Sequence, residues 1–390
     1  MSVLALVAGA LAVVGIGEVL TGWFLVRRFA RHGRKGPGRR PPISVLKPLA
    51  GAEPELEEAL ASLCRQDYPE FQVVLGAADP SDPALAIARR VAARFPLTDI
   101  TIVSGGVSGA SAPTANRKIG NLIAMLPAAR HDLLVIADAD VHAPQGYLEA
   151  LAAALEAPST GLATTLYWGR PGVAGWPARF GASQITHGFL PDALIGRALG
   201  REDALGATLA LSRATLKRAG GLAPLAAELA DDAVLGRRVA SLGLAVRLAA
   251  TVPATTVSER SFGALFRHEL RWARTIRGLA PFGFAFSALR YPLAFALAAV
   301  ALSGLALWSA ALFFAAWAAR AAAARGIDRT LGLAPVLPVW LIPLRDWFSL
   351  SVLLASFAGR RVEWRGLVLS PGRPGGGSLS HAPERGFSGR

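Results

Sequence analysis

The chain of 390 residues has one cysteine, Cys64, so it can form no intrachain disulfide and offers no cysteine cluster for zinc. Its six histidines are scattered, with no HExxH-type spacing for a metal. Charged residues make up only 17%, against about 25% in a typical soluble chain. Lysine is nearly absent, with four against 41 Lys and Arg together. With 53% hydrophobic residues, disorder and collagen-like structure are excluded. The net charge of +14 first suggests nucleic acid. However, the densest basic run directly follows an apolar segment, as at the flank of a membrane span, and the expected partner is a lipid bilayer rather than nucleic acid.

Residues 1–26 carry a single charge, Glu18, and are long enough to cross a hydrocarbon core of about 30 Å as a helix. The run 27–40 follows, with Arg27, Arg28, Arg31, Arg34, Lys35, Arg39 and Arg40. A secretory signal would carry its positive charges before the apolar run. An uncleaved anchor is therefore expected, with its N-terminus outside, a basic linker at 27–40 and the following chain in the cytoplasm. Tyr291–Ala319 and Gly332–Ala358 are two further candidate spans, the second carrying Arg345 and Asp346. Ionisable groups inside a span pair or face a cavity. Pro281–Val300, interrupted by Arg290, is a candidate in-plane or re-entrant helix, which makes two or three helices over 281–358. Residues 359–390 form a basic Gly/Pro/Ser-rich tail, expected to be flexible.

Residues 41–280 have ordinary charge and alternate between strand-like and helix-like segments. Apolar runs at 43–49, 72–77, 99–104, 133–137, 162–167 and 207–211 read as buried strands. Segments 54–66, 83–95 and 118–129 read as helices. This rhythm indicates an α/β fold with a mostly parallel sheet, whose ligands bind beyond the carboxyl ends of the strands.

Acidic residues cluster at those ends. Asp79 and Asp82 follow the second strand, either as turn and cap residues or as acceptors for a base or ribose. The fourth strand ends in Asp138-Ala139-Asp140. Two carboxylates there suit a hard divalent cation such as Mg²⁺ or Mn²⁺, which keeps water and phosphate as its other ligands. Asp231 and Asp232 precede a helical pattern, where one can cap the helix and the other can act as a general base. In FRHELRWARTIR (266–277), His268, Arg271 and Trp272 share one helix face, continued by Arg274 and Arg277. That face suits either the bilayer surface or a diphosphate and a sugar.

In order, DPSDPA, NRKIGNL, the strand ending DAD, LGATLALSRATLKRAGGL, ADDAVLGRRVASLG and HELRWARTIR resemble the ceramide glucosyltransferase-type branch of inverting glycosyltransferases. The resemblance covers roughly residues 1–360 and looks closest to bacterial members, among them hopanoid-biosynthesis-associated glycosyltransferases. It implies a GT-A nucleotide-sugar-binding domain over 41–280 and a multi-pass protein of the bacterial inner membrane with that domain in the cytoplasm. It also implies transfer of a hexose or N-acetylhexosamine from a UDP-sugar to a lipid hydroxyl, of a hopanoid polyol or ceramide, with Mg²⁺ or Mn²⁺. Asp79 falls where the family contacts uracil and ribose. Asp138 falls at the sugar-nucleotide and metal position, with Asp140 completing the D-x-D. Asp232 falls at the catalytic base. Asn116 and Lys118, with Asn121, fall in a segment that shapes the donor pocket. Arg271 and Trp272 match the family's (Q/R)xxRW, but His268 replaces its first residue. A processive polysaccharide synthase shares this layout but needs more transmembrane helices than the chain supplies. A non-catalytic scaffold leaves the carboxylates unexplained.

Overall fold

The computed structural model describes residues 2–31, 38–105, 116–359, 362–364 and 367–369. Arg34, Lys35 and the tail from 370 onward lie outside the described residues. Helix α1 (Val3–Arg31) runs past the expected end of the anchor and takes Arg27, Arg28 and Arg31 into its last two turns. Arginine is a good helix former, so positive charge alone does not end the helix.

Strands β1 (Ile43–Leu49), β2 (Phe71–Ala77), β3 (Asp99–Ser104) and β4 (Leu133–Ala137) are parallel, joined through α2 (Leu56–Cys64), α3 (Pro83–Arg94) and α4 (Arg117–Met125). Next come the short β5 (Val141–His142), α5 (Tyr147–Glu156), β6 (Thr160–Thr164) and β7 (Trp168–Pro171). A continuous helical stretch contains α6 (Trp176–Gln184), a π-helical turn at Ile185–Phe189 and α7 (Leu190–Ala198). The run expected as a strand to residue 167 ends at Thr164. Then follow β8 (Thr208–Ser212), α8 (Arg213–Arg218), α9 (Asp231–Ser241), β9 (Ala245–Leu248) and β10 (Ala254–Val257).

The main sheet has the order β3-β2-β1-β4-β8-β6-β9, with β8 antiparallel to both neighbours. Alternation along each strand fills two cores. Val45, Leu75 and Val135 pack on one face with Leu60, Leu85 and Tyr147. Leu46, Val74 and Ile136 pack on the other with Leu122, Met125 and Leu235. Both faces are covered, which explains why these strands read as unbroken apolar runs. A second sheet, β5-β10-β7, stands beside the first.

Helix α10 (Phe262–Leu279) leads into α11 (Pro281–Phe286), α12 (Pro292–Leu302), α13 (Leu307–Leu331) and α14 (Ile342–Phe357). Among the described residues, three helices are long and apolar enough to cross a membrane: α1, α13 and Val339–Phe357. A fourth results if the pair Pro281–Arg290 and Pro292–Leu302, bent by 65°, forms one broken span. The span expected over Tyr291–Ala319 is interrupted. Gly304 and Leu305 take φ of 66° and 64°, a left-handed turn that ends α12 before α13 begins. Gly332, also left-handed, caps α13, so the last span starts at Val339 rather than at 332.

Glycine permits the close packing of these helices. A Cβ at Gly326 on α13 would lie 2.1 Å from the Trp23 ring of α1. Arg345 and Asp346 pair with other elements, not with each other. Arg345 binds Glu269 of α10 at 2.7 Å, and Asp346 takes Arg320 of α13 through two hydrogen bonds of 2.6 and 3.0 Å. Nearer the C-terminal end of α13, Asp328 accepts from His187 Nε2 at 2.7 Å, fixing the π-helical turn to α13.

Candidate active site

The carboxyl ends of β1, β2 and β4 lie along one edge of the sheet, because Leu49 pairs with Ala77 and Leu46 with Ile136. Asp79, two residues beyond β2, is exposed there, and its carboxylate accepts from Ser81 N and Oγ at 2.8 and 2.7 Å. These two hydrogen bonds hold it below the usual carboxylate range. Asp82 is the cap: it accepts from Ala84 N at 2.8 Å at the start of α3 and from Gly51 N at 2.9 Å.

Asp138 follows β4 directly. Lys118, in the first turn of α4, reaches between two carboxylates, 2.7 Å from Asp138 Oδ1 and 3.5 Å from Asp231 Oδ2. Burial opposes its charge, but Asp138, Asp231 and Asp232 outweigh burial and hold the ammonium well above its ordinary pKa. Asn116 caps α4, accepting from Ile119 N at 3.2 Å, and its amide donates to Asp231 Oδ1 at 3.2 Å. Asn121 donates to Gly76 O at 2.7 Å and so fastens the end of β2.

Neither Asp231 nor Asp232 caps α9. Ala230 stands at the cap and both aspartates lie in the first turn, where the helix dipole favours negative charge. The site has room for Asp232 because residue 206 is glycine; a Cβ there would lie 2.9 Å from Asp232 Oδ2. Burial, reinforced by the negative charge of Asp231, pushes the Asp232 carboxyl up to about 7.

Asp140 faces β10. Thr255 Oγ1 donates to its carboxylate, and Thr256 N donates to its carbonyl at 3.2 Å. Lys47 lies fully buried behind the acidic edge, with Nζ donating to Val141 O at 2.7 Å. Burial lowers its pKa to about 8 against the opposing pull of Asp140 and Asp138. Within the apolar run ISVLKPL it passed as a strand residue; a lysine in a strand buried on both faces was the available signal.

On α10, the rings of His268 and Trp272 meet edge to face at 4.8 Å. Glu259, which sequence reasoning missed, hydrogen-bonds His268 Nδ1. Burial opposes ionisation of Glu259, but the hydrogen bond and charge of His268 hold it below its ordinary value. An ionised Glu259 leaves the hydrogen on Nδ1. Trp272 packs in one cluster with Tyr167, Phe189 and Val257. Tyr167 lies within the electrostatic reach of Asp232, Asp138 and Asp140, so α10 borders the acidic edge across that ring. Arg277 donates to Gly359 O at 2.5 Å and lies over Phe357 at 5.4 Å, tying α10 to the end of α14. Among the described residues no group of three or more His, Cys, Asp and Glu forms a metal cage.

Residues 7–373 match the family model described as glycosyl transferase family 21. The chain belongs to glycosyl transferase family 21. It is similar to ceramide glucosyltransferases of Komagataella phaffii, with 29% identity over 106 residues (27% of this chain, 21% of the relative), and of Gibberella zeae, with 29% over 157 residues (36% and 30%). The chain thus spans less than a third of the length of these relatives. Among solved structures, a mannosyltransferase from Pyrobaculum calidifontis in complex with GDP-Man and Mn²⁺ matches with a TM-score of 0.52 at 20% identity, covering 91% of this chain and 99% of that one. That likeness concerns the fold, a GT-A α/β sheet in this family 21 member.

Proposed function

We propose that this family 21 protein is an inverting transferase that moves a hexose or N-acetylhexosamine from a UDP-sugar to the hydroxyl of a membrane lipid, a hopanoid polyol or a ceramide. The observation that carries this reading is Asp232: a carboxyl raised to about 7, set beside Lys118 and Asp138 at the ligand edge of a sheet bounded by apolar helices. A lipid hydroxyl is a weak nucleophile, and a carboxylate titrating near neutral pH is suited to take its proton as the sugar is transferred. Its attack on the face opposite the leaving diphosphate inverts the anomeric centre.

The other residues have donor roles. Asp79 accepts from uracil or ribose hydroxyls, and Asn116 and Lys118 shape the donor pocket. His268, held through Nδ1, presents Nε2 towards the donor, and Arg271 binds the departing diphosphate. Trp272 stacks against sugar or acceptor. Asp138 and Asp140 fit Mg²⁺ or Mn²⁺, since two hard carboxylates suffice when phosphate and water complete the shell. Bound there, the ion neutralises charge on the diphosphate.

The mannosyltransferase of similar fold is a complex with GDP-Man and Mn²⁺, and the relatives of similar sequence are ceramide glucosyltransferases, which supports both the metal and the lipid acceptor. The test is transfer from labelled UDP-sugars to lipid extract, read by mass spectrometry. Glycosylated lipid is expected, and chelation should abolish it. No lipid product with any UDP-sugar would overturn the reading.

The catalytic unit at 41–280 is proposed to lie in the cytoplasm of a bacterial inner-membrane protein, because Arg27, Arg28 and Arg31 follow the first apolar segment. A compartment reporter inserted at residue 200 should signal cytoplasm; a periplasmic signal would reverse the orientation.

Arg271 is separable from its neighbours on α10. Arginine can hold a phosphate through two parallel hydrogen bonds, whereas lysine acts as a point charge. Arg271→Lys should lose most activity with membrane flotation unchanged. Arg277→Lys keeps a donor for Gly359 O and should be nearly silent. Equal activity of the two variants would remove Arg271 from the site.

A further inference from the structure

The apolar run 162–167 ends in Tyr167, but β6 stops at Thr164 and Tyr167 lies in the link to β7, which begins at Trp168. The sheet register shows where that link emerges. Thr164 of β6 and Ile136 of β4 both pair with Leu209 of the antiparallel β8, so β6 and β4 run the same way and end at one edge. Asp138 and Asp140 follow Ile136 there, and Tyr167 follows Thr164. The turn that enters β8 ties the two strand ends together. Thr164 Oγ1 donates to Leu205 O at 2.9 Å, and Asp138 N donates to Ala207 O at 3.1 Å. Gly206, between them, is the residue beside which Asp232 sits.

The Tyr167 ring is fixed while its hydroxyl is not. The ring stacks on Phe189 of the π-helical turn, with centroids 4.5 Å apart, and is partly buried in the cluster that holds Trp272. The hydroxyls of Tyr68 and Tyr147 bond Pro41 O and Thr208 Oγ1, each at 2.8 Å. The Tyr167 hydroxyl makes no hydrogen bond among the described residues, although a tyrosine in a packed setting ordinarily finds a partner. It lies within the electrostatic reach of Asp232, Asp138 and Asp140, and burial together with these aspartates opposes its ionisation. A phenol kept protonated is a hydrogen-bond donor in a site otherwise rich in acceptors.

We propose that Tyr167 binds the transferred sugar, its hydroxyl donating to one hydroxyl of the hexose ring. The inference rests on the transfer reading and deepens it by naming a residue that reads the sugar. The diphosphate belongs at Asp138 and Asp140 and the acceptor hydroxyl at Asp232. The sugar passes from one to the other within reach of all three carboxylates, which is the position that the Tyr167 hydroxyl shares. The stacked rings hold the donor in place before substrate arrives, so little ordering cost attends the new hydrogen bond.

Tyr167→Phe keeps the ring against Phe189 and removes only the hydroxyl. The measurement is kcat/KM for the UDP-sugar that the wild type uses and for its monodeoxy analogues, with equilibrium binding of UDP and melting temperature alongside. Wild type should discriminate against one monodeoxy donor about tenfold more strongly than the variant does, as expected for one neutral hydrogen bond. UDP affinity and melting temperature should not change, because the hydroxyl touches neither uridine nor a protein partner. Unchanged discrimination against every analogue would overturn the inference and leave the transfer reading standing. A drop in melting temperature with equal loss for all donors would also overturn it, by making the hydroxyl a structural group. A wild-type protein that transfers from no UDP-sugar would overturn the transfer reading and this inference with it.

Discussion

Asp232→Asn should lower turnover by a factor of about 10²–10⁴ while UDP-sugar affinity barely changes. The asparagine keeps the volume beside Gly206 but accepts no proton. In the wild-type protein kcat/KM should rise with pH through about 7 as this carboxyl ionises. Stability should move the opposite way. Between the unperturbed value of 3.8 and about 7, the folded protein binds a proton here that the unfolded chain has released. Stability therefore falls as pH climbs through that window, and the penalty is complete above it. Asp232→Asn carries no such penalty. It should melt at a higher temperature than wild type at pH 8, with the gain shrinking towards pH 4. Gly206→Ala supplies the control. Its Cβ would push a flexible carboxylate rather than backbone, so activity should drop with little change in melting temperature. If Asp231→Asn is the inactive variant and Asp232→Asn is active, the base is Asp231.

The fold was legible because β1, β2 and β4 are covered on both faces, so their apolar runs stood out against the helical segments between them. The membrane region was less legible. Composition alone does not show a turn through Gly304 and Leu305, and an apolar run of constant character reads as one span. The carboxylates were visible because each follows a strand or opens a helix. What they touch was not, since the contacts join residues far apart in the chain. Asn116 is one such residue: its amide fixes Asp231, 115 residues away, while its oxygen caps α4. Arg345 and Asp346 were visible as adjacent charges inside a span, but their partners, Glu269 and Arg320, come from two other helices. Glu259 stands outside the HELRW segment, and only the return of the chain from β10 brings it to His268.

Lys118→Met should make the metal-free protein markedly less stable and more responsive to Mg²⁺ or Mn²⁺. Removing the lysine leaves Asp138, Asp231 and Asp232 without the ammonium that lies among them. Breaking a fully buried ion pair costs on the order of 3–5 kcal/mol. Lys118 keeps 20% of its side-chain surface exposed, and solvent screening reduces the cost to about 2 kcal/mol. The charge also decides how the site accepts a divalent ion. The ammonium lies 2.7 Å from Asp138 Oδ1, so it competes with any cation for that oxygen. In the methionine variant the competition disappears and the carboxylate repulsion adds to the attraction for a metal. Melting temperature in chelator should therefore fall, and addition of Mn²⁺ should raise it by more than in wild type, as binding to the folded state alone requires. Lys118→Arg keeps the charge and should restore the metal-free stability without the enhanced metal response. Equal metal-induced shifts in wild type and Lys118→Met would place the cation away from Asp138, leaving the lysine as the ion-pair partner of that carboxylate.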